Sequence, residues 1–344
     1  MNTASYTVLI CSYLEPEYVE RIRHVDDRLN VIYAPELLRP PRYAADHHGD
    51  PTFQRTPEQE ARWRELLTHA NILFDFDPTH RADLPELAPH ARWIQATSAG
   101  IGQFVKGQGY DTRMPNTIFT TASGVHARPL AEFVVMALLM HYKGAWRMIG
   151  ARERRHWERY AGTDLEGRTL AIVGLGRVGS EIARMCRGLG MTVIGTDVRP
   201  AAEPVDRYYE PSRLSAMLSQ ADVLVVMVPH TPQTEKMIGA RELALLPRGA
   251  YVINIARGAV VDEPALIEAL RSGHLGGAAL DVFAEEPLPP SSPLWAMPNV
   301  LISPHSASTS DRENARITEL FCDNLRRFLR GEPLCNILNP ERMY

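Results

Sequence analysis

Cysteine is scarce, with four in 344 residues (Cys11, Cys186, Cys322, Cys335), no Cys-x-x-Cys pair and no Cys/His spacing of a zinc module. That excludes a disulfide scaffold and a zinc finger, and predicts reduced thiols in a cytoplasmic chain. Long apolar runs are also missing. The longest, at 133–140, falls far short of the ~20 residues that span a bilayer. The amino terminus has no basic residue ahead of its short apolar run at 8–11, which argues against a secretory leader. Nor does one sign of charge dominate, since 37 basic against 41 acidic side chains leave a net charge of −4. No basic field draws nucleic acid or an anionic membrane, so a small molecule is the expected partner.

What is present fits roughly two domains at about 150 residues each. Apolar residues at 45% and charged residues at 23% lie near the globular average, which sets aside disorder and coiled coil. The densest break is 39–57, rich in proline and carrying His47-His48. It reads as a solvated surface loop, with no thiol or carboxylate spacing to complete a metal site. No metal is expected.

Short β-rich runs fall at 6–11, 72–76, 93–96 and 118–120. A stronger series follows at 170–173, 192–195, 223–228, 251–255, 278–282 and 300–302. Helical patterns at 177–189, 213–219 and 263–271 lie between them. Continuous apolar strands separated by helices predict parallel sheets covered on both faces, an α/β fold. A long apolar helix at 126–142 is placed to pass between domains. A second, at 310–330, is placed to return the chain to the first domain and make that domain discontinuous.

The segment 170–179 is a buried strand running into a glycine turn and a helix. Gly174 suits the tight turn, Gly176 a close approach of pyrophosphate to backbone, and Gly179 the packing of helix on strand. Amide groups at the helix start suit a diphosphate, and Arg177 adds a cation. By itself GxGxxG is a weak signal. Here a strand precedes it, a helix follows, and Asp197 closes the next strand, where its carboxylate suits both hydroxyls of an adenosine ribose. NAD is therefore favoured. NADP stays open, because Arg199 offers a partner to a 2′-phosphate.

Three further β-like runs end in Arg257, in Asp281 with Glu285 and Glu286, and in His305. Ligands bind at the carboxyl ends of strands in open α/β sheets. Reduction of a 2-keto acid needs an anchor for the carboxylate, a polariser of the keto oxygen and a proton donor. The planar fork of Arg257 suits the first two, and His305 suits the third. A carboxylate bonded to His305 would fix its tautomer and favour the imidazolium form.

These motifs resemble the NAD(P)-dependent D-isomer-specific 2-hydroxyacid dehydrogenase family. The likeness runs through 174–179 with Asp197, His230-Thr-Pro-Gln-Thr234, Asn254-Ile-Ala256-Arg257-Gly258, 281–287 and 293–305. Weaker echoes lie at 96–100 and 124–132. The resemblance implies Arg257 as substrate anchor, Glu286 (the glutamate directly before proline, rather than Glu285) as orienting carboxylate, and His305 as acid/base. It implies cofactor contacts at Gly174, Gly176, Arg177, Val178, Gly179, Asp197, Thr234, Ala256, Asp281 and His305, with Asp281 on the nicotinamide carboxamide. Backbone N–H groups at Ala99 and Gly100 would hold the substrate carboxylate.

The family architecture implies two Rossmann-like domains, with a dinucleotide-binding domain at 123–308 inserted into a substrate domain at 1–122 and 309–344. It also implies a homodimer formed through the cofactor domains. Two departures touch the substrate pocket. Gly102-Gln103 stands where an acidic residue often follows the Ala-Gly turn, and Ser306-Ala-Ser-Thr stands in place of a glycine-rich stretch.

The expected activity is hydride exchange between NAD(P) and a small 2-keto or D-2-hydroxy acid. Two alternatives remain: a dehydrogenase of another small anion (formate, phosphite or a phosphorylated hydroxy acid), and a non-catalytic NAD(H)-sensing corepressor-like protein. With the chain ending about 30 residues after the returning helix begins, no appended regulatory domain is expected.

Overall fold

The computed structural model describes residues 5–198, 205–339 and 341. Arg199 and the first four residues, both used in the sequence reading, lie outside them. The chain divides into two compact units, one of Met1–His126 with Thr309–Tyr344 and the other of Ala127–Ser308.

In the first unit, strands β1 (Tyr6–Ile10), β2 (Leu29–Ile32), β3 (Ile72–Phe74), β4 (Trp93–Gln95) and β5 (Ile118–Thr120) form one parallel sheet in the order β2-β1-β3-β4-β5. Both faces are apolar because successive side chains alternate. Val8 and Ile10 enter one core, and Leu9 and Cys11 the other. The helix Glu313–Arg330 covers the first of these cores with Ile317, Phe321 and Leu325, spaced every four residues on one face. Phe321 meets Phe74 edge-on at 5.1 Å and Trp93 at 5.0 Å. Burying one such side chain is worth ~1.5–3 kcal/mol. The helix stops at Gly331, whose φ of +69° suits glycine.

In the second unit, β6 (Thr169–Val173), β7 (Thr192–Thr196), β8 (Arg207–Tyr208), β9 (Val223–Val226), β10 (Tyr251–Asn254), β11 (Gly277–Leu280) and β12 (Val300–Ile302) form a parallel sheet in the order β12-β11-β10-β9-β6-β7-β8. Leu170 and Ile172 face one core, Ala171 and Val173 the other. The two sheets and their covering helices are the α/β architecture expected, two Rossmann-like folds with the second inserted into a discontinuous first.

The helix Ala127–Tyr142 starts where the chain leaves the first unit at His126. It begins the second unit and buries Leu130, Val134 and Leu138 in that unit's core. Several local expectations need correction. The last long helix begins at Glu313, three residues later than its periodicity implies. β2 was missed because its residues are only half-buried, so its apolar alternation is faint. The 39–57 loop is not simply solvated: Asp46 is buried, accepting from Arg42 and from the Gly49 amide. The His47 ring is also nine-tenths buried, with Ser12, two residues past β1, offering its Nδ1 a partner at 3.1 Å.

Candidate active site

The glycine turn follows β6 directly. Gly174 adopts φ +106°, and a side chain there would strike the backbone of Met227 at 2.6 Å. At Gly179 a Cβ would meet the Gly174 carbonyl at 2.1 Å, so only glycine lets the helix Arg177–Gly188 sit this close to its strand. Gly176 differs: nothing lies within 4 Å of its would-be Cβ, and it is exposed beside exposed Arg177. Two glycines thus serve packing, and the third leaves backbone open at a helix start. Val178 packs against the core. Asp197, just past β7, accepts the Leu175 amide at 2.7 Å, which ties this carboxylate to the glycine turn.

Strands β10, β11 and β12 are neighbours, so the residues after their carboxyl ends gather along one edge. After β10, the Asn254 side chain accepts the Ala256 amide and donates to the Arg257 carbonyl, shaping the loop. Next comes Gly258, where a Cβ would lie 1.9 Å from the Phe283 carbonyl carbon and oxygen. Glycine alone allows the Arg257 loop to lie against the loop that carries Glu286. The Arg257 guanidinium donates to the Ala256 carbonyl at 2.7 Å and makes no salt bridge among the described residues. Burial pulls it down from its ordinary value, while Glu286 and Asp281 push it back. It remains a cation with N–H groups to spare.

His305 follows β12 with φ +53°, held by its amide on the Asp281 carbonyl at 2.9 Å. Its Nδ1 lies 2.8 Å from Glu286 Oε2, and Glu286 Oε1 accepts the Phe283 amide at 3.0 Å. An ionised carboxylate only accepts, so Nδ1 carries the shared proton and Nε2 points away from the pair. Glu285 is exposed and takes no part in this contact. Asp281 is buried. Its Oδ1 accepts from the Ser303 hydroxyl and from the Ser306 and Ala307 amides, three bonds that fix the loop leading from His305. Ser303 is a supporting residue that no sequence pattern marks.

The other expected residues are placed as follows. The Thr234 hydroxyl is engaged within its own loop, donating to the Pro229 carbonyl at 2.6 Å and accepting the Thr231 amide at 2.8 Å. Ala256 is buried. Ala99 and Gly100 belong to the first unit, exposed in the loop after β4. Among the described residues, no group of three His, Cys, Asp or Glu side chains is placed to hold a metal ion, and no helix is long and apolar enough to cross a membrane.

Comparison with known proteins decides the family. Residues 134–307 match the D-isomer specific 2-hydroxyacid dehydrogenase, NAD binding domain. A glyoxylate reductase of Korarchaeum cryptofilum is 35% identical over 269 residues, covering 76% of this chain and 80% of that protein. The chain belongs to the D-isomer specific 2-hydroxyacid dehydrogenase family. Solved members of the family share its whole fold. A D-isomer specific 2-hydroxyacid dehydrogenase from Xanthobacter autotrophicus Py2, in complex with NADPH and MES, is 30% identical with a TM-score of 0.78, covering 99% of this chain and 100% of that one. An NADPH-dependent glyoxylate/hydroxypyruvate reductase from Sinorhizobium meliloti, in complex with NADP and sulfate, is 26% identical with the same score and coverage. This dehydrogenase is an NAD(P)-dependent enzyme, and its open Gly176 backbone beside Arg177 fits a dinucleotide diphosphate.

Proposed function

We propose that this dehydrogenase reduces a small 2-keto acid to its D-2-hydroxy acid, in reversible fashion, with Arg257, Glu286 and His305 as its catalytic residues. The observation that carries the reading is the 2.8 Å His305–Glu286 contact on the loops flanking a half-buried, unpaired Arg257. The bound nicotinamide cofactor supplies the hydride. Arg257 holds the substrate carboxylate and polarises the keto oxygen through its fork. Glu286 on Nδ1 leaves Nε2–H as the transferable proton, and His305 gives it to the oxygen as the C2–H bond forms. In the oxidative direction His305 takes the proton back. The glyoxylate and hydroxypyruvate reductase activities carried by its relatives' names support a substrate of this size.

The remaining assignments follow from position. The second unit is the dinucleotide-binding domain, holding the cofactor at Gly174, Gly176, Arg177, Val178 and Gly179, with Asp197 on the ribose and further contacts at Thr234, Ala256, Asp281 and His305. Asp197 favours NAD. The first unit is the substrate domain, in which the Ala99 and Gly100 amides hold the carboxylate. The enzyme works as a cytoplasmic homodimer through the second unit, whose exposed apolar side chains include Met136, Leu139, Trp146, Met148, Ile149 and Trp157.

The test is a panel of 2-keto acids with NADH and NADPH, followed at the nicotinamide absorbance, on wild type and His305→Gln. A drop of ~10²–10⁴-fold in kcat is expected for the variant. Turnover within a few-fold of wild type would remove His305 from the chemistry. Tight NADH binding without turnover of any keto acid would favour a sensor instead.

A further inference from the structure

The first unit has its own topological switch point. β1 pairs with β2 on one side and β3 on the other, so chains leaving the carboxyl ends of β1 and β3 diverge and open a crevice. The first polar residues past the strands are Ser12 after β1, Asp75 after β3 and Thr97 after β4. The 39–57 loop adds His47.

Asp75 is held in place from several directions. Its φ of +69° is one that aspartate and asparagine tolerate better than most residues. Its amide donates to the Gln95 carbonyl at 2.7 Å. Its carboxylate accepts the Phe76 amide and the Thr97 hydroxyl, each at 2.9 Å. Those two bonds use about half of a carboxylate's acceptor sites. No lysine or arginine pairs with it among the described residues.

His47 does not neutralise this charge. Burial pulls its imidazole down from the ordinary value, and the pull of Asp75 and Glu313 in the other direction does not overcome it. Its Nδ1 is 3.1 Å from Ser12 Oγ, and its buried Nε2 has no hydrogen-bond partner, since Glu313 Oε1 is 4.0 Å away. The crevice therefore combines a fixed, partly exposed carboxylate with an imidazole whose hydrogen bonding is incomplete. Thr97, which orients that carboxylate, lies two residues from Ala99.

We propose that Asp75 is a specificity-determining residue that reads the substituent on the substrate's third carbon, accepting a hydrogen bond from a hydroxyl there and rejecting a second carboxylate or a phosphate. This rests on the reading of Ala99 and Gly100 as the carboxylate anchor. A hydroxyl suits the crevice because it donates to Asp75 and still offers an acceptor. A second anion meets the Asp75 charge, which among the described residues no lysine or arginine pairs with.

The experiment compares kcat/KM for hydroxypyruvate, glyoxylate and oxaloacetate in wild type, Asp75→Asn and Thr97→Val. Asn keeps the backbone conformation and removes the charge. In Asp75→Asn the hydroxypyruvate-to-glyoxylate ratio should fall ~10-fold, the usual scale for a bond to a charged group, and the oxaloacetate-to-glyoxylate ratio should rise by a similar factor. Thr97→Val keeps the charge but frees the carboxylate, so the first ratio falls several-fold while oxaloacetate stays excluded. If Asp75→Asn does not fold, the Thr97→Val split decides. Ratios within twofold of wild type in every folded variant overturn the Asp75 assignment alone. Failure of wild type to reduce any of the three overturns both this assignment and the proposed activity.

Discussion

Replacing Gly258 by alanine is the sharpest probe of how the site is assembled. The added methyl would lie 1.9 Å from two backbone atoms of Phe283 and 2.5 Å from the Ala284 nitrogen. Backbone cannot swing aside as a side chain does, so the loops must part by about 1.5 Å to reach ordinary contact. Overpacking of this kind costs ~1–3 kcal/mol or more in stability. The catalytic effect should be larger still, because Arg257 sits on one loop and Glu286, the proposed orienting partner of His305, follows the other. A 1 Å misplacement is enough to cost ~10²-fold in rate. Gly258→Ala should therefore lose at least ~10²-fold in kcat/KM for glyoxylate while remaining folded in a thermal melt. Gly188→Ala is the control: nothing lies within 4 Å of its Cβ, and at the end of a helix it should be neutral or slightly stabilising. A Gly258→Ala enzyme within threefold of wild type would show that the approach of the two loops does not set the catalytic geometry.

Glu286→Gln keeps a side chain able to reach His305 but removes the charge. It should lower kcat by ~10–10²-fold with little change in KM, and equal kcat values would exclude the orienting role. Asp197→Ser removes the carboxylate that bonds the Leu175 amide, and should shift the NADPH-to-NADH ratio of kcat/KM at least ~10-fold toward NADPH; an unmoved ratio would place cofactor choice elsewhere. Burial lowers His47 and His141, so the unfolded chain takes up protons more readily than the folded one. Their contribution to stability is full above the ordinary imidazole value of ~6.5 and falls as pH drops through it. Urea melts between pH 7.5 and 5.5 should show this loss, with a shallower slope in His47→Gln, and identical slopes would contradict it. The Asp46 contribution belongs to a separate window. Held down to about 2 by Arg42 and the Gly49 amide against its own burial, it is lost only as pH falls below ~4.

The sequence by itself determined the fold class, the dinucleotide turn and the family. Those features are local: apolar runs of strand length, glycines at fixed offsets, and an acid closing the next strand each follow from one stretch of chain. It also named Arg257, Glu286 and His305, which stand beside recognisable strand ends. Tertiary structure decided what depends on residues far apart in sequence. Only the adjacency of β10, β11 and β12 gathers those three side chains, and only the packing of two loops shows why Gly258 follows Arg257. His47 reads as solvated in sequence because nothing in its own stretch marks it as buried; its hydrogen-bond partner Ser12 lies thirty-five residues earlier. Asp75 is an unremarkable acid until the sheet order sets it at a switch point, where among the described residues no lysine or arginine pairs with it. Pattern reports the period of a chain against itself. Burial and charge balance depend on which distant segments the fold brings alongside.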